Sequence, residues 1–436
     1  MTDAHLPPAD EPVPSARALL KERDYLLFWG TRWFGSFASQ IQSVAMGWQM
    51  YALARQGHSV NESALLVAML GLAAFLPVLL LTLPAGEAAD RYDRKKVMLA
   101  CLAAEIVSVF TLGLATVQGW TSPLLLMDIA ALFGAARAFF APANTALGPM
   151  LVPRKLLPRA IAWNSLAWQT ASILGPAVAG FLLVRSAETA YFTTFGLYGL
   201  AAVLVFMIRA NTKPALNPGS RWQLMMEGLA YVWRQKIVFG AISLDLAAVI
   251  LGGATALLPV FARDVLVIHE GTYVLLGLEI EFTRATAFGL LRSGPAIGAT
   301  LVALTLAANP VRSRAGMVMF LGVGVFGLAT VVFGVSTSMW LSVAALAVLG
   351  GADMLSVYVR QTLVQLVTPD HMRGRVAAVS SVFIGASNEL GEFESGVVAR
   401  FLGPVGAAVF GGVGAMMVTA LWARLFPDLR RADRLE

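Results

Sequence analysis

From Tyr25 to Phe426 the chain repeats one pattern, an apolar run of about twenty residues followed by a short polar turn. Runs of that length match a hydrocarbon layer of ~30 Å, because a helix rises ~1.5 Å per residue. Lipid offers the backbone no water to bond, so each run must satisfy its own hydrogen bonds by coiling into a helix. The pattern predicts an all-α membrane protein. Of 436 residues, 58% are hydrophobic and 13% charged, which leaves no polar stretch long enough for a soluble domain with its own core.

Twelve spans are read, at 25–53, 63–86, 97–118, 123–150, 159–184, 189–208, 236–262, 286–308, 315–335, 339–367, 375–401 and 403–426. An even number brings the C-terminus back to the side of the N-terminus. Segments on that side hold Arg17, Lys21, Arg23, Arg91, Arg94, Lys95, Lys96, Arg154, Lys155, Arg159, Arg209, Lys213, Arg221, Arg234, Lys236, Arg312, Arg314, Arg373, Arg375, Arg424, Arg430, Arg431 and Arg434. The other side holds Arg55, Arg185, Arg263, Arg284 and Arg400. Basic loops remain cytoplasmic, so both termini are expected inside a bacterial-type inner membrane. With the cations confined to short loops, the net charge of +6 supplies no basic face for nucleic acid. Cys101 is the single cysteine, and His5, His58, His269 and His371 are scattered through tails and loops. Neither a disulfide framework nor a metal cluster is expected, and no cofactor.

The domains read as a disordered tail (1–24), a six-span half (25–208), a linker (209–235), a second six-span half (236–426) and a second tail (427–436). The tail at 1–18 lacks the apolar core of a signal peptide. In the linker, Trp222, Met225, Met226, Leu229 and Trp233 recur at helical spacing, which suits a helix lying at the headgroup level. The connection over 263–285 is long and suits a small hairpin. The halves resemble each other: one constant spacing separates Gly134 from Gly350, Pro153 from Pro369, Arg159 from Arg375, Gly175 from Gly391 and Gly180 from Gly396. Duplicated six-helix halves are a transporter architecture, with substrate held at mid-membrane between the repeats. Gly and Pro are common in membrane helices, but a shared spacing that includes an Arg is poorly explained by chance.

Between spans two and three, Gly86-x-x-x-Asp90-Arg91-x-x-Arg94-Lys95-Lys96 resembles the signature loop of the major facilitator superfamily. Gly175-Pro176-x-x-x-Gly180 resembles the glycine-proline motif of its drug/proton antiporter branches, and Arg137 sits where those branches often carry an intramembrane arginine. Met372-Arg-Gly-Arg-Val376 followed by Asn388-Glu-Leu-Gly-Glu-Phe-Glu-Ser-Gly396 is similar to the branch of enterobactin exporters and macrolide efflux proteins. The resemblance implies the major facilitator fold and proton-driven export of a small molecule. It also implies that Asp90 and the surrounding Gly86, Arg91, Arg94 and Lys95 act as a gate between the halves, with Asp90 approaching the start of span eleven. In this chain the first span carries Arg32 where many such antiporters have an acid.

An ionisable group at mid-bilayer costs about 2.5–3.5 kcal/mol on insertion scales, so it normally faces a partner or a wet cavity. The candidates for a proton-coupling network are Arg137, Asp353, Arg360, Glu389, Glu392 and Asp245, with Glu105, Glu394, Asp128 and Arg292 also inside spans. Asp128 and Arg292 lie near span ends and are expected to reach the headgroups. Glu389 and Glu392 are three apart and share a helical face. Two such carboxylates in a poorly hydrated site do not both ionise, which suits binding and release of a proton; a structural pairing with Arg137 or Arg360 is the competing explanation. Arg137 and Asp353 occupy equivalent positions in the halves and are expected to form or exchange an ion pair.

In span one, Arg32, Ser36, Ser39, Gln40, Ser43 and Gly47 fall on one stripe that suits either a cavity wall or close helix packing. Gly175, Pro176 and Gly180 suit a helix bend and close approach. The residues predict a twelve-helix secondary transporter working by alternating access on an amphipathic small molecule; export and proton antiport are what the family resemblance implies. Lipid or lysolipid movement, or metabolite import, is the alternative. A membrane enzyme is disfavoured because no His lies in a span, a transporter-like sensor because such a protein usually carries an appended soluble domain, and no Walker loop is present to drive transport with ATP.

Overall fold

A computed structural model describes residues 16–213, 221–275, 278–311 and 313–431. Ten of its helices are long and apolar enough to cross a membrane. Two further observations bring the spans to twelve. Span one, Arg23–Ala54, has the length at 32 residues, but its polar stripe dilutes its apolarity. The 56-residue helix Asp370–Leu425 contains two spans, because Gly403 stands at φ 75° and ψ 167°, a backbone that L side chains rarely adopt, and Pro404 follows.

Span two is Val60–Arg91, span three Arg94–Gln118, span four Pro123–Leu147, span five Leu157–Arg185 and span six Ala187–Phe206. In the second half, span eight is Arg284–Ala308, span nine Ala315–Val335 and span ten Met339–Val367; spans eleven and twelve share the helix parted at Gly403. The repeated glycines pack in repeated ways. A Cβ on Gly134 would lie 1.8 Å from the Ala74 carbonyl oxygen of span two, and one on Gly350 2.0 Å from the Pro295 carbonyl oxygen of span eight. Gly175 similarly admits Gln40 of span one, and Gly391 admits the Val249 carbonyl of span seven. Gly180 and Gly396 cross between the halves, the first against Ala285 and Gly289 of span eight, the second against Ala64 and Ala68 of span two. The sequence repeat is therefore a repeat of helix contacts.

Span seven departs from a simple rod. It is helical over Lys236–Leu251, breaks at Gly252 and Gly253, and continues as a tight 3-10 turn over Ala254–Leu257, an α-turn over Leu258–Val260 and a wider π-turn over Phe261–Val265. The break has a steric reason: a Cβ on Gly253 would lie 2.1 Å from the Gly391 carbonyl group of span eleven. Only glycine lets the two backbones meet there. Broken helices at membrane depth are tolerated where they line a cavity or lie within protein.

Several boundaries move. The charged stretch at 86–96 is not a loop, since span two runs to Arg91 and span three starts at Arg94. Asp93 caps span three by accepting from the Lys95 amide at 3.0 Å, and Arg91 pairs with Glu87 at 2.6 Å. Both tails hold ordered anchors: Leu19 and Leu429 are fully buried, the latter against the start of span nine. Residues 1–15 and 432–436 lie outside the described residues.

In the linker, Arg221–Arg234 is a helix whose Leu229 and Val232 pack with Val376 and Val379 of span eleven. Arg375 pairs with Glu227, and the Tyr231 hydroxyl donates to the Val367 carbonyl at 3.1 Å. Met226 and Trp233 stay exposed, so only part of the apolar stripe is free to meet headgroups; the Trp222 side chain lies outside the described ones. The connection after span seven forms an antiparallel hairpin, β1 (Gly271–Leu275) with β2 (Leu278–Phe282), and the Phe282 ring stacks on Trp340.

Candidate functional site

Between the halves lies a cavity of about 900 Å³. Its lining reaches Thr145 in the last turn of span four, at the face carrying the termini. At the opposite face the halves are in contact. Gly289 there admits the Pro176 carbonyl and Gly180, Trp48 stacks on Phe288 with centroids 5.7 Å apart, and Asp264 takes the Tyr51 hydroxyl bond while Arg55 stands 3.6 Å away. The cavity is open toward the termini and closed at the far end.

The polar stripe of span one lines this space: Arg32, Ser36, Ser39, Gln40, Ser43 and Gly47 all face it. Packing and lining are combined at Gln40, which faces the cavity, donates to the Ser172 hydroxyl at 3.3 Å, and lies against Gly175. Span five runs unbroken through Pro176, and neither that residue nor Gly175 and Gly180 lines the cavity. Their structural part includes close approach of helices, Gly175 against Gln40 and Gly180 against Ala285 and Gly289.

Four members of the charge network also reach the cavity: Arg137, Asp353, Glu389 and Glu392. Glu389 stands 3.9 Å from Arg137, a link from span eleven to span four and so from one half to the other. Arg137 lies over the Phe133 ring at 5.5 Å. Glu392 accepts from the Thr255 hydroxyl at 2.9 Å and from Arg292 at 3.5 Å. Both carboxylates flank Gly71 of span two, where a Cβ would lie 3.6 Å from Glu392 Oε2 and 4.0 Å from Glu389 Oε2. The two acids are therefore neighbours, as their spacing on one helical face predicts, and each has its own arginine.

In this arrangement, closed at the far face, Arg137 pairs with Glu389 and not with Asp353, which lies on the wall of span ten; the expectation that Arg137 and Asp353 form or exchange an ion pair during transport concerns other arrangements as well. Arg292 does not reach toward headgroups but lines the cavity, because Glu392 and the polar space draw it inward. Asp245 and Arg360 are absent from the lining. They form an ion pair of 3.3 Å packed inside the second half, with Arg360 only 1% exposed. Removing one partner strands a buried charge, so Asp245→Ala is expected to cost about 3–5 kcal/mol of stability. Thermal unfolding of the purified protein checks this: an unchanged midpoint refutes it, and recovery by the paired replacement Asp245→Leu with Arg360→Met supports it.

Of the residues expected to form the gate, Arg94 donates to the Ala146 carbonyl at 3.2 Å, and Lys95 to those of Phe206 and Ile208 at 2.8 and 2.6 Å. These cations complete the C-terminal ends of spans four and six, where free carbonyls and the helix dipole favour positive charge. Gly86 is buried and Asp90 half-buried near the end of span two. Sequence reasoning missed Thr255 and Gln169. The glycine pair at 252 and 253 was the available signal for Thr255, since a break in a span exposes polar groups. Gln169, which bonds Thr300 of span eight and so joins the halves, had no such signal.

The fold is shared with solved transporters. A peptide-transporter (POT) family protein bound to 5-aminolevulinic acid superposes with a TM-score of 0.72 at 12% identity, covering 93% of this chain and 96% of its own. The nucleoside transporter NupG gives 0.62 at 14%, covering 94% and 98%. The enterobactin exporter of Citrobacter koseri is 30% identical over 391 residues, covering 86% of this chain and 85% of its own. Its namesake in Shigella boydii is 27% identical over 393 residues, with the same coverage of both chains. The family model described as transmembrane secretion effector matches residues 14–435. Two six-span halves around a charged cavity, and a family match over nearly the whole length, lead to one conclusion: the chain belongs to the transmembrane secretion effector family of major facilitator transporters.

Proposed function

We propose that this transporter exports an amphipathic small molecule by alternating access and exchanges it for protons at Glu389 and Glu392. The observation carrying this reading is the pair of carboxylates beside Gly71, one linked across the halves to Arg137 and the other to Arg292 and Thr255. Adding a proton to Glu389 removes its charge and weakens the link to Arg137, freeing the halves to rock. Substrate arriving in the cavity favours release of that proton on return. The exporter names of the relatives support the direction. The bias of basic residues supports an inner membrane with both termini in the cytoplasm, so that the open cavity loads from inside the cell.

The resemblance assigns the gate to Asp90 and its neighbours, with the two six-span halves (25–208 and 236–426) as the bodies that move. Flux into inside-out vesicles tests the function, with enterobactin, carboxyfluorescein and rhodamine 123 as probes. Protein-dependent accumulation is expected when the lumen is acidic and is expected to collapse with a protonophore. Movement indifferent to the gradient would remove proton exchange from the account, leaving a passive carrier.

A further inference from the structure

The cavity holds three arginines, Arg32, Arg137 and Arg292, and two of them are matched, Arg137 by Glu389 and Arg292 by Glu392. Among the described residues no carboxylate lies within ion-pair distance of Arg32. The unmatched cavity acids, Glu105 and Asp353, make no ion pair with it either. A guanidinium inside a span is normally held by a partner, because its charge is poorly solvated there. Arg32 stands nine residues beyond the start of span one, about 13 Å along the helix, too deep to belong to the loop cations.

The residues around that depth favour a ligand. Ser36 and Ser43 lie one and three turns further along the same face. A buried helix serine or threonine commonly donates to its own backbone four residues earlier, as Thr31 and Ser108 do here at 3.0 and 2.7 Å. Ser36 and Ser43 make no such bond among the described contacts, which leaves their hydroxyls as donors toward the cavity. Phe140 and Trp168 line the same space at about 10 and 16 Å from their helix ends, and Trp168 is 51% exposed.

We propose that Arg32, with the Ser36 hydroxyl, is the docking point for an anionic group of the cargo, so that the substrate is an organic acid with an apolar or aromatic body. The inference rests on the export reading and adds its substrate class. A guanidinium offers five donors in a fixed fork suited to a carboxylate, sulfate or phosphate. The ring faces of Phe140 and Trp168 then meet the apolar body. Because the cargo supplies the missing charge, an empty cavity and a loaded one differ most at this point.

Inside-out vesicles holding the full chain test this with carboxyfluorescein and rhodamine 123, xanthene dyes of opposite charge. Gradient-driven uptake is expected to favour carboxyfluorescein. Arg32→Gln should lower its flux by about tenfold or more relative to rhodamine 123, the size expected for loss of a charge-assisted hydrogen bond. Arg32→Lys, which keeps the charge, should retain a larger part of that flux, and immunoblotting normalises each variant to the protein inserted. Rejection of carboxyfluorescein by vesicles that move another probe, or an unchanged dye ratio in Arg32→Gln, overturns the anion site alone. Absence of all protein-dependent flux strikes the export reading as well.

Discussion

Glu392→Gln is expected to abolish uphill accumulation, lowering it by about a hundredfold, the low end of what a positioned proton-transfer group contributes. Glutamine is nearly the same size and still accepts a hydrogen bond from Thr255, now at 2.9 Å from the carboxylate. It carries no charge for Arg292 and no proton to exchange. Downhill movement of the same probe should persist, since the cavity keeps its shape. Glu389→Gln should produce a similar loss and in addition cut the link to Arg137. The decisive measurement is the ratio of gradient-driven to downhill flux in vesicles. If both single variants and the double variant kept that ratio, proton exchange would have to be assigned elsewhere.

The second large effect separates folding from switching. Gly134 touches its own half, so Gly134→Val pushes a side chain into the Ala74 carbonyl at 1.8 Å and is expected to cost more than about 3 kcal/mol, preventing stable insertion. Gly289 touches the other half, where a Cβ would meet the Pro176 carbonyl at 2.4 Å. That contact belongs to the arrangement closed at the far face. Gly289→Ala should therefore leave each half intact and raise the closed arrangement by about 1–3 kcal/mol, shifting the population five- to 150-fold toward opening there.

Labelling with an impermeant maleimide reads this shift, using Ser43→Cys in a Cys101→Ser background, with the reagent applied from the face opposite the termini. Faster labelling in Gly289→Ala is the expected result. Equal labelling rates, or failure of Gly289→Ala to insert, would show that this contact does not control the far gate.

Much of the fold was legible because lipid narrows the choice of structure to helices. Span number, the duplicated halves and the linker helix all follow from periodicity and repetition. The repeated glycines were legible as well, since a residue without a side chain at matching places implies matching backbone contacts, and Gly134 and Gly350 make them. Helix ends were less legible. Polar side chains at 86–96 suggest a loop, yet Asp93 and Arg91 are helix-end residues, and hydrogen bonds to the last carbonyls and first amides extended both spans.

The site divides in a similar way. Arg32, Ser36, Gln40 and Ser43 were found from spacing, because one face of a helix is a property of local geometry. Glu389 and Glu392 were found for the same reason. Partners across helices were not. Arg137 and Asp353 occupy equivalent sequence positions, but pseudo-symmetry relates the helices without bringing those two side chains together; Arg137 meets span eleven instead. Asp245 and Arg360, selected for their charge alone, proved to be a buried pair inside one half.

The sequence by itself determined that the chain crosses a membrane many times, that its halves resemble each other, and which residue faces are polar, because hydrophobicity, repeated spacing and helical period are all properties of the linear chain. The tertiary structure alone decided which end of the cavity is closed, which acid holds which arginine, and that Arg32 is left without a counter-ion among the described residues. Those outcomes depend on distances of a few ångströms between helices far apart in the chain, and no local periodicity encodes such distances.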